Sequence, residues 1–417
     1  MTSMKTVMTF LVLTILVISF NNSHKTGVAA TCNNISQKSE YNKGEYGYDL
    51  DFLKKYLHPV ELVNNDSRMI IEPEYQGRVM TSSSSGMKGF SYGWINYDLI
   101  SSSTTLEHFN PYGGEERIWL GPEGGQFSLF FKKDTTFNLN NWFVPAALDK
   151  EPFEVSDKDD SSITMRKKVK LENSSGTIFN AEITRKVTLL SRDEITESLG
   201  KIIATSVHVV AYQSENQLKN TGSNSWNKAE GALSVWMLSM LNPSSDVTVV
   251  IPYKEGDKGK VVNDYFGKIP ENRLKVSENA VFFLADGKFR SKIGIPPRRA
   301  LPIIGSYDAK NSILTLIEFT LHENTSEYVN SALKIQDNPF SGDVINSYND
   351  GPTDNGSQLG PFYELEVSSP AAFLKTGEEI SHIQRIYHME GSEETLDIIA
   401  KSLLNVSISE IKNIFKN

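Results

Sequence analysis

The 417-residue sequence predicts an all-β protein, an antiparallel β-sandwich with short flanking helices at both ends. Short runs of β-branched and aromatic residues recur between clusters of turn formers. Such runs do not alternate regularly with helical patterns, which disfavours a parallel doubly wound sheet. Apolar spacing of the helical kind is confined to the two ends of the chain.

Residues 1–30 read as an export signal: Lys5, an apolar run from Met8 to Phe20, and the small-residue ending Val28-Ala29-Ala30. The run is too short to span a bilayer, and no later segment is apolar enough to do so. A flexible segment is expected over 31–48 and a single β domain with carboxy-terminal helices over 49–417. The protein is expected to be periplasmic or secreted. Cys32, the only cysteine, rules out an intrachain disulfide or a thiolate cluster and leaves a lipid anchor as a minor alternative.

A helix is predicted from Leu50 to Leu57, with Leu50, Leu53, Tyr56 and Leu57 on one side and Pro59 ending it. Strands are predicted at Arg68–Ile71, Phe127–Phe131, Ser162–Leu171, Ile178–Leu190, Ile202–Tyr212, Thr248–Ile251, Leu314–Leu321 and Phe362–Val367. Asp286-Gly287 predicts a two-residue hairpin joining Val281–Leu284 to Lys288–Arg290. At the end, Ser392 caps a helix with the stripe Leu396, Ile399, Ala400, Leu403 and Leu404. Ser407 with Glu410 predicts a capping box for a last helix carrying Ile408, Ile411 and Phe415.

The formal net charge of −9 argues against a nucleic-acid partner, because phosphate contacts need clustered Lys and Arg. The cluster Arg166-Lys167-Lys168 reads as an exposed strand face. Uncharged carbohydrate fits the balance. The chain has no dinucleotide or phosphate loop, no HExxH pair and no GxSxG elbow.

The stretch GGEERIWLGPEGG, 113–125, is the densest in ligand-binding chemistry. Its glycines permit close approach, Trp119 offers a flat apolar face, and Glu116, Arg117 and Glu123 can hydrogen-bond a polyhydroxylated ligand. In 360–388, Glu364 and Glu366 share one face of a strand while Tyr363, Leu365 and Val367 share the other. Two carboxylates about 7 Å apart on one face repel if buried, which raises the pKa of one and makes it a general acid or base. Arg78, Lys292 and Arg298 can bind an anionic group on a sugar. Asn346, Tyr348, Asn349 and Asp350 offer hydroxyl partners in a turn-rich segment. His108 precedes the glycine block as a further candidate. No cofactor or metal is expected, calcium at Asp350 and Asp354 being the one open option.

The acidic strand, Ser368-Ser369-Pro370 and Leu374-Lys375-Thr376-Gly377-Glu378 together resemble the carboxy-terminal signature of the galactose mutarotase-like superfamily. The glycine block followed by Trp142 and Pro145 resembles its middle segment. More closely, the run from Glu72 to His388 resembles a family of secreted bacterial proteins known as domain of unknown function 6786. The resemblance rests on EPEYQGRVMTSSSSG, GGEERIWLGPEGGQFSLFF, NQLKNTGSNSW, SKIGIPPRRALPIIGSYD, DVINSYNDGP and FYELEVSSPA. It implies a β super-sandwich whose concave face binds carbohydrate. In aldose epimerases of that superfamily a glutamate takes the anomeric proton and a histidine serves the ring oxygen. The matching element here is Asn216-Gln217-Leu218-Lys219-Asn220, and Thr221 stands in the histidine's place. Threonine cannot transfer that proton at neutral pH. Three readings stay open: a sugar epimerase, lyase or hydrolase, the last with Glu364 or Glu366 set against Glu116 or Glu123; a carbohydrate-binding protein without turnover; and a scaffold with no ligand.

Overall fold

In the computed structural model the described residues are 39–416 without 257, 258 and 354, so the stretch expected to be an export signal and Cys32 lie outside them. The chain opens with α1 (Tyr46–Tyr56), then β1 (Val60–Asn64), β2 (Ser67–Glu72) and β3 (Arg78–Ser83). Next come α2 (Tyr97–Ser102), β4 (Arg117–Gly121), α3 (Ala146–Asp149) and β5 (Glu154–Lys158). The long strands β6 (Ser162–Glu172), β7 (Ile178–Leu189) and β8 (His208–Asn220) follow, with α4 (Arg192–Leu199) before β8. After them run β9 (Ser234–Leu241), β10 (Val247–Pro252), β11 (Leu274–Val276) and β12 (Ala280–Leu284). Then come β13 (Ser291–Ile295), β14 (Ile303–Asp308), β15 (Ile313–Phe319) and β16 (Ile345–Asn349). The chain finishes with β17 (Tyr363–Ser368), β18 (Glu379–Glu390), α5 (Glu393–Leu404) and α6 (Ile408–Asn413).

Two antiparallel sheets form the sandwich: ten strands in the order β11-β12-β10-β14-β15-β18-β8-β7-β6-β5, and five in the order β13-β16-β17-β9-β4. Strands β1 to β3 make a third, smaller sheet. Alternation builds the interior. Ile118, Met237, Ile293, Ile345, Leu365 and Val367 of the five-stranded sheet share one core with Tyr212, Val249, Phe283, Ile317 and Ile386 of the ten-stranded sheet. Tyr363 OH and Ser306 Oγ, 2.9 Å apart, bond across the same gap. The ten-stranded sheet is buried on its other face too, where Val250, Phe282, Leu314, Leu316 and Met389 meet Leu396, Ile399, Leu404, Ile408 and Ile411 of α5 and α6. Each such side chain contributes about 1.5–3 kcal/mol on burial, so the docked helices are part of the core.

Several sequence expectations change. The first helix starts at Tyr46, inside the stretch expected to be flexible, because Tyr46 is itself a core residue. Phe127–Phe131 is a turn: Ser128 Oγ accepts from the Phe130 and Phe131 amides at 2.9 and 3.2 Å, which a ladder would otherwise use. The strand expected from Ile202 begins at His208, since Arg192 takes the Ile203 and Ala204 carbonyls at 3.1 and 2.6 Å. Asp286-Gly287 does not close a hairpin. Strand β12 pairs with β10 and β11, whereas β13 pairs with β16, so this turn carries the chain from one sheet to the other. Asp286 is held there by Arg273, and the Gly287 amide donates to Asn349 Oδ1 at 2.8 Å. Ser407 caps the Glu410 amide at 3.0 Å without the reciprocal bond; the full capping box is Ser191 with Glu194 on α4.

Candidate functional site

The face of the five-stranded sheet turned away from its partner sheet carries the polar chemistry. Register places Lys292, Tyr348, Glu364 and Met240 in one row across β13, β16, β17 and β9. The next row holds Asn346, Glu366, Leu238 and Arg117. Trp236 and Trp119 face each other one step further on β9 and β4. Loops rise around these rows and leave a depression of about 250 Å³ lined by Arg117, Trp119, Glu123 and Lys292, with Tyr348, Asp350, Glu364 and Glu366. Thus the glycine-rich block and the late acidic strand, 247 residues apart at Arg117 and Glu364, converge. A second depression of about 360 Å³ adjoins it, sharing Glu123, Trp236 and Lys292, and includes Asn346.

Pairing dominates the electrostatics. Arg117 Nη2 donates to Glu364 Oε1 at 2.8 Å while its guanidinium lies 4.1 Å from the centre of the Trp119 ring. Lys292 Nζ and Trp236 Nε1 both donate to Glu366 Oε2, at 2.8 and 3.0 Å. Trp142 Nε1 donates to Glu123 at 3.1 Å. Tyr348 OH and the Gly360 amide hold the two oxygens of Asp350 at 2.9 and 3.0 Å.

Burial pushes Glu364 up to about 7; Arg117 opposes the shift and Glu366 adds to it. Glu123 and Asp350 are raised for the same primary reason. At Lys292 burial works to lower the pKa, but Glu366, Glu123 and Glu364 together hold it above its usual value. The site therefore keeps a lysine charged beside carboxylates of which at least one titrates near neutrality. Arg117 Nε and Nη1 and Glu366 Oε1 are buried without a hydrogen-bond partner. Such atoms cost about 1–3 kcal/mol each, more when charged, and those of Arg117 and Glu366 belong to side chains that line the depression.

Five candidates lie elsewhere. Glu116 points into the gap between the sheets, opposite to Arg117, where it meets Arg185, Ser214 Oγ at 3.1 Å and Gln384 Nε2 at 2.7 Å. Arg78 is buried with its Nη1 on the Gly113 carbonyl at 2.6 Å. Half-buried His108 stacks on Phe143 and bonds the Trp142 carbonyl at 2.8 Å, fixing the loop that carries Trp142. Asn349 spends its amide on Gly287 and on the Phe289 carbonyl, the latter at 2.9 Å. Arg298 lines a different surface hollow with Lys254 and His322. The glycines also serve packing more than a ligand: a Cβ at Gly113, which has φ of 92°, would strike the Trp94 carbonyl, and one at Gly124 would strike that of Ala332. Asp354, half of the calcium expectation, lies outside the described residues, and among those no three His, Cys, Asp or Glu side chains converge as a metal site.

Several lining residues escaped the sequence reading. Trp236 and Leu238 lie on β9, buried along its whole length, so alternation does not reveal which side chains face the depression. Arg290 lies over the Phe266 ring at 3.8 Å, and both line the depression with Phe109. Arg290 ends the stretch Lys288–Arg290, expected to be a strand, and lies two residues before Lys292, so extending that strand to Lys292 would have put both on one face.

No helix among the described residues is long and apolar enough to cross a membrane. No curated protein matches the chain in sequence. Among solved structures it is similar to the Slr1438 protein of Synechocystis sp. PCC 6803, at 12% identity and a TM-score of 0.47 over 80% of this chain and 96% of that one. It is similar to a putative aldose 1-epimerase of Escherichia coli K12, at 10% identity and a TM-score of 0.48 over 79% of this chain and 98% of that one. A galactose mutarotase-like protein of Lactobacillus casei gives 11% identity and a TM-score of 0.45 over 79% and 100%. The family model described as a family of unknown function, DUF6786, matches residues 44–415, and the chain belongs to that family.

Proposed function

We propose that the depression on the five-stranded sheet binds a carbohydrate and that Glu364 is its proton-transfer group. One observation carries this reading: buried donors and an acceptor without partners, on Arg117 and Glu366, stand beside a wall of Trp119, Trp142, Trp236 and Tyr348. A sugar ring matches that combination, with an apolar C–H face for the aromatic surface and hydroxyls that both donate and accept. Trp119 and Trp142 have their indole N–H groups tied to the Leu148 carbonyl and to Glu123, so the wall is preorganised. Glu364, held near neutrality by burial, is suited to give or take a proton. Glu123, raised by burial and lining the same depression, can act with it. The amino-terminal signal pattern supports export, and a glycan met outside the cytoplasm is consistent with that reading.

A binding protein without turnover is the second reading, favoured by the absence of histidine from the described lining of both depressions. Thr221 does not supply the function, for it lies just past the end of β8 with its amide on the Asn180 carbonyl at 3.0 Å. A glycan panel with wild type, Glu364→Gln and Glu366→Gln separates the two. Catalysis predicts turnover by wild type and loss of at least about a hundredfold in rate for Glu364→Gln with binding kept. Glu366→Gln should weaken binding about tenfold or more, since Lys292 loses the carboxylate it hydrogen-bonds. Binding without turnover in all three identifies a binding protein, and no binding to any glycan ends the carbohydrate reading.

A further inference from the structure

We infer that the site takes a glycan of at least two linked sugar units, one in each of the two adjoining depressions; the inference rests on the carbohydrate reading above. The two hollows are parts of one cleft. Glu123, Trp236, Phe266, Lys292 and Leu333 line both, so an occupant of one touches the same side chains as an occupant of the other. Their volumes, about 250 and 360 Å³, lie just below and just above the lower end of the range of about 300–1,000 Å³ usual for small-molecule sites. Together they make a cavity of ordinary size.

The halves differ in chemistry as two subsites would. The smaller is walled by aromatic rings, with Phe109, Trp119 and Trp142 belonging to it alone. The larger has hydroxyl and amide groups of Ser234, Asn330, Ser341, Asn346 and Ser368, and the carboxyl of Asp343. Each half carries its own buried polar atoms without partners: Arg117 Nε and Nη1 and Glu366 Oε1 in the first, Ser234 Oγ in the second. Ser234 is fully buried and Arg117 and Glu366 nearly so, so these are built groups and not surface accidents. A single ring in the aromatic half leaves the polar lining of the larger half unserved, whereas a second unit linked to it past Lys292 and Trp236 lies against the part of the cavity lined by Asn330, Asn346 and Ser234. Asp343, held by Tyr265 OH at 2.6 Å, adds a fixed acceptor there.

The test compares each monosaccharide with its linked forms by calorimetric titration of the full chain: glucose with maltose and cellobiose, galactose with β-1,4-galactobiose, galacturonate with digalacturonate. For the preferred sugar, the disaccharide should bind wild type at least about tenfold more tightly than the monosaccharide, one well-placed set of contacts being worth that factor. Ala332→Trp fills the larger half from its rim, where Ala332 is partly exposed. It should bring the ratio of the two affinities to about one. An unchanged melting temperature for this variant secures the comparison, and Ser234→Ala, which removes one hydroxyl, should lower the ratio about threefold or more. Equal affinity of wild type for mono- and disaccharide overturns the two-unit site while leaving the carbohydrate reading in place. A tenfold ratio that survives Ala332→Trp also overturns it. Binding to none of the sugars overturns both.

Discussion

Arg185→Met is expected to destabilise the folded protein by roughly 3–5 kcal/mol, a large share of the stability of a typical domain. Arg185 and Glu116 pair with both side chains fully buried between the sheets. Arg185 also donates from Nε to the Gly77 carbonyl at 2.9 Å and from Nη1 to Asn216 at 2.7 Å, joining the small sheet's β2–β3 turn to β7 and β8. Methionine fills much of the volume but leaves the Glu116 carboxylate with only Ser214 and Gln384 as partners. The cost is therefore that of an uncompensated interior charge, larger than the net worth of the pair. Urea unfolding measures it. Adding Glu116→Gln should restore more than half of the loss, because the stranded charge disappears while an amide can still serve Ser214 and Gln384. A loss below about 1 kcal/mol for the single variant would show that this pair does not organise the interior. The same pair of variants settles the role of Glu116: the defect lies in unfolding free energy, and glycan affinity of the folded fraction stays near that of wild type.

That Glu116 belongs to the core and Arg117 to the cleft was written in the alternation around them. Glu116, Ile118 and Leu120 share one face and Arg117, Trp119 and Gly121 the other, and the apolar pair marks which face is interior. Glu364 and Glu366 were legible by the same rule because Leu365 and Val367 are unambiguous. In β16 the rule separates Asn349, with Ile345 and Ser347, from the cleft residues Asn346 and Tyr348. Other features were beyond local pattern. Strand β9, SVWMLSML, is covered on both faces, and a run with no polar side cannot show which side chains line a site. The turn at Asp286-Gly287 has ideal hairpin chemistry, yet its partners, Arg273 and Asn349, come from 13 and 62 or more residues away. Long-range contacts chose the crossover where local chemistry allowed either outcome. Helices α5 and α6 were readable because their serine caps and apolar stripes are properties of consecutive residues.

Stability should fall as pH rises from about 4.5 to 7, and Glu364→Gln should flatten that dependence. Folding raises the Glu364 pKa from 4.5 to about 7, chiefly because burial disfavours the carboxylate. Between those values the native state keeps a proton that the unfolded chain has released, so the unfolded state binds fewer protons and the unfolding free energy declines with pH. The contribution is fully present below about 4.5 and is lost as pH passes 7. Its ceiling is about 1.4 kcal/mol per pKa unit, hence on the order of 3 kcal/mol across the window, reduced by whatever Arg117 recovers when the carboxylate forms. Glu123 and Asp350, both raised by burial, act in the same direction. The wild-type slope thus contains several groups, and the difference between wild type and Glu364→Gln isolates one. Urea unfolding at pH 5 and pH 7.5 reads it directly: wild type should lose roughly 1–3 kcal/mol more than the variant between the two. Equal slopes would mean that Arg117, at 2.8 Å, already compensates the charge in full. Glu364 would then be an ordinary ion-pair carboxylate at neutral pH, and the acid or base role would pass to Glu123, which lines the same depression and is raised by burial.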